Sequence, residues 1–123
     1  MPALNFKKRF APDVAFCRKR QTIRAKRKDG RNPRPGDTLY LFTGLRTKYC
    51  QRLGTAICKS AEDILIYPNG QIALIKSGRS VKYLNAKEKD KLAVDDGFHD
   101  FADFMSFFHK EHDLPLWGLL IKW

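Results

Sequence analysis

The chain has 123 residues, the length of about one domain, and its 43% hydrophobic residues are enough to fill an apolar core. This composition argues against disorder over most of the chain, and the order of the loop 25–36 stays open. No uninterrupted apolar run reaches the roughly 18 residues that a membrane span needs, and the first ten residues lack the apolar stretch of a secretory signal. We therefore expect a single cytoplasmic domain over residues 1–123, with no membrane partner.

The net charge of +11 is concentrated in the first third of the chain. Residues 1–36 contain twelve Lys or Arg residues against two Asp residues, whereas the other 87 residues contain twelve against eleven. Clustered cations attract phosphate backbones through counterion release and long-range steering. The expected partner is therefore a polyanion, nucleic acid first, ahead of a membrane or an acidic protein. A solvated basic loop without a partner is the alternative.

The basic third begins with a short predicted helix, because Pro12 and Asp13 suit the first turn of a helix through Phe16. The helix leads into the basic segment "RKRQTIR" at 18–24. Residues 25–36 carry Gly and Pro without apolar periodicity, which indicates an exposed basic loop. Loops of this length in compact domains are usually functional.

Short runs rich in branched and aromatic residues follow, and they predict strands. They are "TLYLFTG" at 38–44, "LGTAICKS" at 53–60, "DILIYP" at 63–68, "IALIK" at 72–76 and "SVKYL" at 80–84. Asn69 and Gly70 favour a tight hairpin between the third and fourth of these runs. Short strands joined by tight turns favour an α+β fold, a small β-barrel of about five or six mostly antiparallel strands with flanking helices.

Residues 95–112 predict one amphipathic helix, with an aromatic stripe packed on the barrel. The stripe consists of Phe98, Phe101, Phe104, Met105 and Phe108. We expect Asp95 or Asp96 to cap the first turn and Leu114 with Pro115 to end the helix. The final stretch, "LWGLLIKW", predicts a buried strand that returns to the sheet.

Three segments resemble the ASCH domains, which belong to the PUA-like β-barrel superfamily. "CRKRQTIR" (17–24) looks like the family's short helix, basic turn with Lys, and strand that begins Thr-Ile-Arg. "PGDTLYLFTGLRTKYCQRLGTAIC" (35–58) is similar to its Pro-Gly-Asp turn and the two strands that follow. "DDGFHDFADFMSFF" (95–108), followed by "WGLLIKW", resembles its late helix and closing strand. The segments occur in the family's order and span nearly the whole chain.

The resemblance implies a cleft between barrel and helices in which a Lys and a Thr meet an acid. PUA-like modules bind RNA, and some ASCH proteins hydrolyse N4-acetylcytidine. Lys19, Thr22 and Arg24 match the residues of the hydrolase members, and Asp96 falls where those members have Glu. A Thr hydroxyl beside a Lys amine and a carboxylate can in principle cleave an amide. The shorter Asp side chain puts proton transfer in question, because a misplacement of about 1 Å can cost roughly 100-fold in rate.

The leading prediction is a module that binds RNA or a modified nucleotide, with DNA left open. Its expected phosphate contacts are the cations of three segments: Arg18, Lys19, Arg20 and Arg24; Lys26, Arg27, Lys28, Arg31 and Arg34; and Arg46, Lys48 and Arg52. Tyr40, Phe42 and Tyr49 offer stacking faces for a base, although at least two of them suit the core. The alternatives are an amidohydrolase with Lys19, Thr22 and Asp96 as catalytic residues, and an adaptor for an acidic protein.

Neither a metal nor a cofactor is predicted. Cys17, Cys50 and Cys58 include no CxxC pair, so neither a disulfide framework nor a four-thiolate zinc site is encoded. His109 and His112 stand three residues apart near a predicted helix end, but no third ligand completes a set. The sequence leaves the oligomeric state open.

Overall fold

The computed structural model describes residues 3–76 and 80–123 and shows an α+β fold. The strands are β1 (Ala3–Phe6), β2 (Gln21–Ala25), β3 (Thr38–Thr43), β4 (Gln51–Ile57), β5 (Ser60–Ile66), β6 (Ile72–Lys76), β7 (Ser80–Tyr83) and β8 (Leu116–Lys122). The helices are α1 (Ala11–Ala15), α2 (Ala86–Asp95) and α3 (Phe101–Glu111).

The strands form two sheets in the described part of the chain, one with the order β1-β3-β4 and one with the order β2-β8-β5-β6-β7. Strands β1 and β3 run parallel, and the other pairs are antiparallel. The α+β class with mostly antiparallel strands is thus confirmed. No ladder joins the two sheets within the described ranges, so the closed barrel is not confirmed, and the strands outnumber the five or six that were predicted.

The hairpin at Asn69 and Gly70 is confirmed as the connection between β5 and β6. Gly70 has a φ of +89°, and its N–H donates to the Tyr67 carbonyl over 3.0 Å. Only glycine adopts this backbone conformation without strain. Residues 44–50 connect β3 to β4.

The aromatic stripe of α3 lies in the core, as predicted. Phe104 and Phe108 are almost fully buried, and their ring centroids lie 4.5 Å apart. Phe98, just before α3, contacts both rings, and edge-on and tilted geometries of this kind are favourable for aromatic pairs. Leu39 of β3 and Ile64 of β5 belong to the same core, so the two sheets pack on one apolar interior.

Two predictions for this half of the chain were wrong, namely where the late helix begins and which Asp caps it. Helix α3 begins at Phe101, and its cap is Asp100, whose side chain accepts from the Asp103 N–H over 2.8 Å. Asp95 and Asp96 instead end the preceding helix α2, which the sequence analysis did not predict. Helix α2 has its own capping box at its N-terminus, formed by Asn85 and Glu88.

None of the helices in the described ranges 3–76 and 80–123 is both long and apolar enough to cross a bilayer.

Candidate functional site

A cavity of about 330 Å³ opens between the first two strands and the α2–α3 region. Its polar lining includes the four residues that the resemblance implies for the site: Lys19, Thr22, Arg24 and Asp96. Its apolar walls are Phe6, Phe10, Phe98, Phe107 and Phe108. The structure therefore brings together the Lys, Thr, Arg and acid that lie up to 77 residues apart in sequence.

Lys19 and Asp96 form a buried pair at the base of the site. Their side chains are 3% and 4% exposed. The Lys19 ammonium donates to the Asp96 backbone carbonyl over 2.6 Å and to the carboxylate oxygen Oδ1 over 3.2 Å. The ammonium group thus makes its shorter hydrogen bond to the backbone carbonyl of Asp96 and its longer, weaker one to the carboxylate.

The turn after α1 directs Lys19 inward. Cys17 has a φ of +62°, which ends the helix, and the N–H groups of Arg18 and Lys19 then both donate to the Asp13 carbonyl. Arg18 and Arg20 point to solvent on either side, whereas Lys19 is buried. One tight turn thus selects a single cation from the run "RKR" for the cavity.

The turn after α2 brings Asp96 to the same place. Asp96 is the C-cap of α2, and Gly97 follows with a φ of +94°. A Cβ at position 97 would lie 3.1 Å from the Phe10 ring and 3.2 Å from the Lys19 side chain. Glycine is therefore required here both for its backbone conformation and for the close approach of Lys19.

Burial perturbs both members of the pair towards their neutral forms. Desolvation raises the pKa of Asp96 to about 6, although Lys19, Gln21 and Arg24 act in the opposite direction. Desolvation likewise lowers the pKa of Lys19, against the attraction of Asp96. The two shifts bring the pKa values of the carboxyl group and the amine closer together, and perturbed pairs of this kind cluster at functional sites.

Thr22 and Arg24 lie two residues apart on β2, so their side chains share one face of the strand. Arg24 Nε donates to the Thr22 hydroxyl oxygen over 3.1 Å, and Arg24 Nη2 donates to the Asn5 carbonyl over 2.6 Å. Burial lowers the pKa of Arg24 to about 10, so its guanidinium remains charged at neutral pH. A charged donor on a hydroxyl oxygen stabilises the alkoxide form of that hydroxyl.

The remaining predicted cations lie outside the cavity. Arg18 pairs with Asp13, and Lys26 pairs with Asp63. Arg27, Arg31 and Arg34 line a separate concavity formed by the loop itself. This loop is exposed as predicted, apart from the buried Pro33 and the partly buried Asn32. Of the twelve predicted phosphate contacts, only Lys19 and Arg24 line the cavity.

Strand β1 and the end of α3 provide a part of the site that was not predicted from the sequence. Asn5, Phe6 and Lys7 line the cavity from one side, and Glu111 and His112 line it from the other. The alternation of Leu4 and Phe6 was the one indication of β1, and four residues are too few for a periodicity argument.

His109 and His112 do not face a common centre. His109 Nε2 lies 3.1 Å from the Pro68 carbonyl oxygen, whereas His112 stacks on Phe108. Within the part of the chain that the structure describes, no group of three or more His, Cys, Asp or Glu side chains is placed to hold a metal ion.

No protein-family model, curated protein or solved structure matches this chain. Its functional interpretation therefore depends on the geometry of its own residues.

Proposed function

We propose that this chain is an ASCH-like domain whose cavity hydrolyses an N-acylated cytidine nucleoside of the N4-acetylcytidine type. The observation that carries the proposal is the buried Lys19–Asp96 pair, which lies in a cavity that Thr22 and Arg24 also line. In this proposal the two sheets are the two halves of the PUA-like barrel that the resemblance implies.

Each polar residue has one role in the reaction. Thr22 Oγ1 attacks the acyl carbon while Lys19, as the neutral amine, accepts the hydroxyl proton. The C–N bond then breaks, and the departing amino group of cytidine takes up that proton. Water hydrolyses the acyl-threonine ester in the second half of the reaction, which releases the carboxylic acid and restores the hydroxyl group.

The pair supplies the proton transfer that these steps need. Asp96 accepts the proton that Lys19 must lose before it can act as a base, and burial raises the pKa of this carboxyl to about 6. Arg24 stabilises the Thr22 alkoxide through its bond to the hydroxyl oxygen. The shorter side chain of Asp96, compared with the Glu of the hydrolase members, stays within hydrogen-bond distance of Lys19 Nζ at 3.2 Å.

The apolar walls suit a nucleobase. The polar residues of the cavity share its lining with four aromatic rings, those of Phe6, Phe10, Phe98 and Phe107. Aromatic rings stack on the faces of planar bases. The cavity volume of about 330 Å³ lies at the small end of the range for ligand sites, which favours a nucleoside-sized ligand.

Binding of RNA or of a modified nucleotide, without chemistry, is the second candidate. The observation in its favour is the charge of residues 1–36, which hold twelve cations and two acids. Ten of the twelve predicted phosphate contacts lie outside the cavity, so they bear on a polyanion and not on the reaction. An adaptor for an acidic protein would use the same exposed cations and would not need Thr22 or Lys19.

The test is acetate and cytidine release from N4-acetylcytidine by the purified protein, by Lys19→Ala and by Arg20→Ala. Arg20 is the matched control, because it is the neighbouring cation but is exposed and outside the cavity. We expect release by the unsubstituted protein and by Arg20→Ala, with loss in Lys19→Ala. Equal rates in Lys19→Ala and the unsubstituted protein would refute the proposed mechanism. Salt-dependent RNA binding without turnover would favour the second candidate.

A further inference from the structure

A second concavity adjoins the cavity along the end of β1. Its volume is about 1000 Å³, compared with about 330 Å³ for the cavity. Asn5, Phe6 and Lys7 line both, so only the end of β1 separates them. Helix α1 and the following Phe16 form another side, and the β3–β4 connection, which includes Tyr49, forms a third. We call this concavity the α1 groove.

Two aromatic side chains stand exposed along the α1 groove. Phe16 is 72% exposed and Tyr49 is 70% exposed, which makes them the most exposed large hydrophobic residues of the described ranges. A cation lies near each ring: the Arg18 guanidinium carbon is 5.3 Å from the Phe16 centroid, and Lys48 Nζ is 5.2 Å from the Tyr49 centroid. Exposed aromatic rings beside cations are typical of surfaces on which unpaired bases stack.

The charged residues that line the α1 groove in the described part of the chain are all cations. Lys7, Lys8 and Arg9 line it, and no Asp or Glu is among its described lining residues. Lys7 pairs with Glu111 at 3.2 Å, and Arg9 pairs with Asp103. Lys8 makes no ion pair with the described part of the chain, so its ammonium group is available to a phosphate.

We propose that the α1 groove binds single-stranded RNA next to the nucleotide whose base enters the cavity. This inference rests on the proposed function, because a ribonucleoside substrate held within a strand makes that strand RNA. Phe16 and Tyr49 stack on neighbouring bases. Lys8 contacts the RNA backbone between those bases and Lys7, which lines both the groove and the cavity. A duplex would keep its bases paired and out of reach of both rings, and an acidic peptide would leave the rings unused.

The experiment compares two substrates, free N4-acetylcytidine and a short single-stranded RNA with one central N4-acetylcytidine. The variants are Phe16→Ala, Tyr49→Ala and Lys8→Ala. Tyr83→Ala is the matched control, because Tyr83 is also an exposed aromatic residue, 58% exposed, but lies on β7 outside the groove. A second arm measures fluorescence anisotropy of the same RNA without the acetyl group, in which no turnover occurs.

We expect each aromatic variant to lower the ratio of kcat/KM for the strand to kcat/KM for the nucleoside by at least about fivefold, the smallest effect of losing one base stack. The same variants should weaken binding of unmodified RNA by a similar factor, and Tyr83→Ala should change neither quantity. Lys8→Ala should reduce the salt dependence of binding.

The two arms separate the inference from the proposed function. Weaker RNA binding by Phe16→Ala and Tyr49→Ala, without turnover of either substrate, would support the groove and overturn the hydrolase. Turnover of the free nucleoside, with an unchanged substrate ratio and unchanged RNA binding in both variants, would overturn the groove. Competition by polyglutamate, or by DNA of the same sequence, as strong as that by RNA would overturn the assignment of the groove to RNA.

Discussion

The pH dependence of stability should report directly on the buried carboxyl of Asp96. Its pKa in the folded protein is raised to about 6, whereas an unfolded Asp titrates near 4. The folded state therefore binds more protons than the unfolded state between these values, so stability is lost as the pH rises through this window. A difference of about two pH units corresponds to about 3 kcal/mol of unfolding free energy.

The perturbation that isolates this effect is Asp96→Asn, which keeps the shape of the side chain and removes its titration. We expect the unfolding free energy of the unsubstituted protein to fall by about 3 kcal/mol relative to that of Asp96→Asn between pH 3 and pH 7. Urea titrations followed by the fluorescence of the buried Trp123 would measure both curves.

Asp95→Asn is the control, because Asp95 is the adjacent carboxylate but is exposed and paired with Lys91. This control should run parallel to the unsubstituted protein over the same pH range. If the unsubstituted protein instead gained stability relative to Asp96→Asn as the pH rose, attraction to Lys19 would outweigh desolvation, and the reasoning about a labile proton in the pair would be wrong.

Three other substitutions test the geometry around the site. Gly97→Ala should lower the unfolding free energy by about 1–3 kcal/mol, and by more than Gly30→Ala. Both glycines have a positive φ, but of the two only position 97 is crowded. Equal losses for the two variants in urea titrations would show that crowding does not matter. Arg24→Lys should reduce kcat by about tenfold or more, because Lys cannot make both the Nε bond to the Thr22 hydroxyl and the Nη2 bond to the Asn5 carbonyl. An unchanged kcat would show that Arg24 has no role in the mechanism. Asn85→Ala should lower the unfolding free energy by about 1 kcal/mol, because the α2 capping box is lost. A melting temperature equal to that of the unsubstituted protein would contradict this prediction.

The resemblance grouped Lys19, Thr22 and Arg24 in one site, and local geometry accounts for part of that grouping. Thr22 and Arg24 are two residues apart on β2, so the period of a strand puts their side chains on one face. The same strand also contributes Ile23, which both lines the cavity and belongs to the core.

The role of Asp96 could be predicted only through the resemblance. Residues 95–103 contain four Asp residues, each a reasonable cap or surface charge by local rules. Only the packing of the α2–α3 turn against Lys19 and Phe10 distinguishes Asp96 from the others. The local rules accordingly assigned the helix cap to the wrong carboxylate.

The charge count predicted a basic protein but not the placement of its cations. A sequence gives the number of Lys and Arg side chains, whereas their distribution over the cavity, the loop and the α1 groove depends on how β1 and α1 pack. The groove combines Phe16 and Lys8 from one end of the basic third with Tyr49 from the β3–β4 connection, and no local pattern joins these segments.

A single-turnover reaction of N4-acetylcytidine with an excess of the protein, compared with the same reaction of Thr22→Val, would decide whether Thr22 is the nucleophile. Valine has nearly the shape of threonine but lacks the hydroxyl group, so the fold should persist while the nucleophile is lost. We expect cytidine to form with the unsubstituted protein and not with Thr22→Val. If cytidine formed at equal rates with both proteins, or with neither, the cavity would not be the threonine hydrolase site described above.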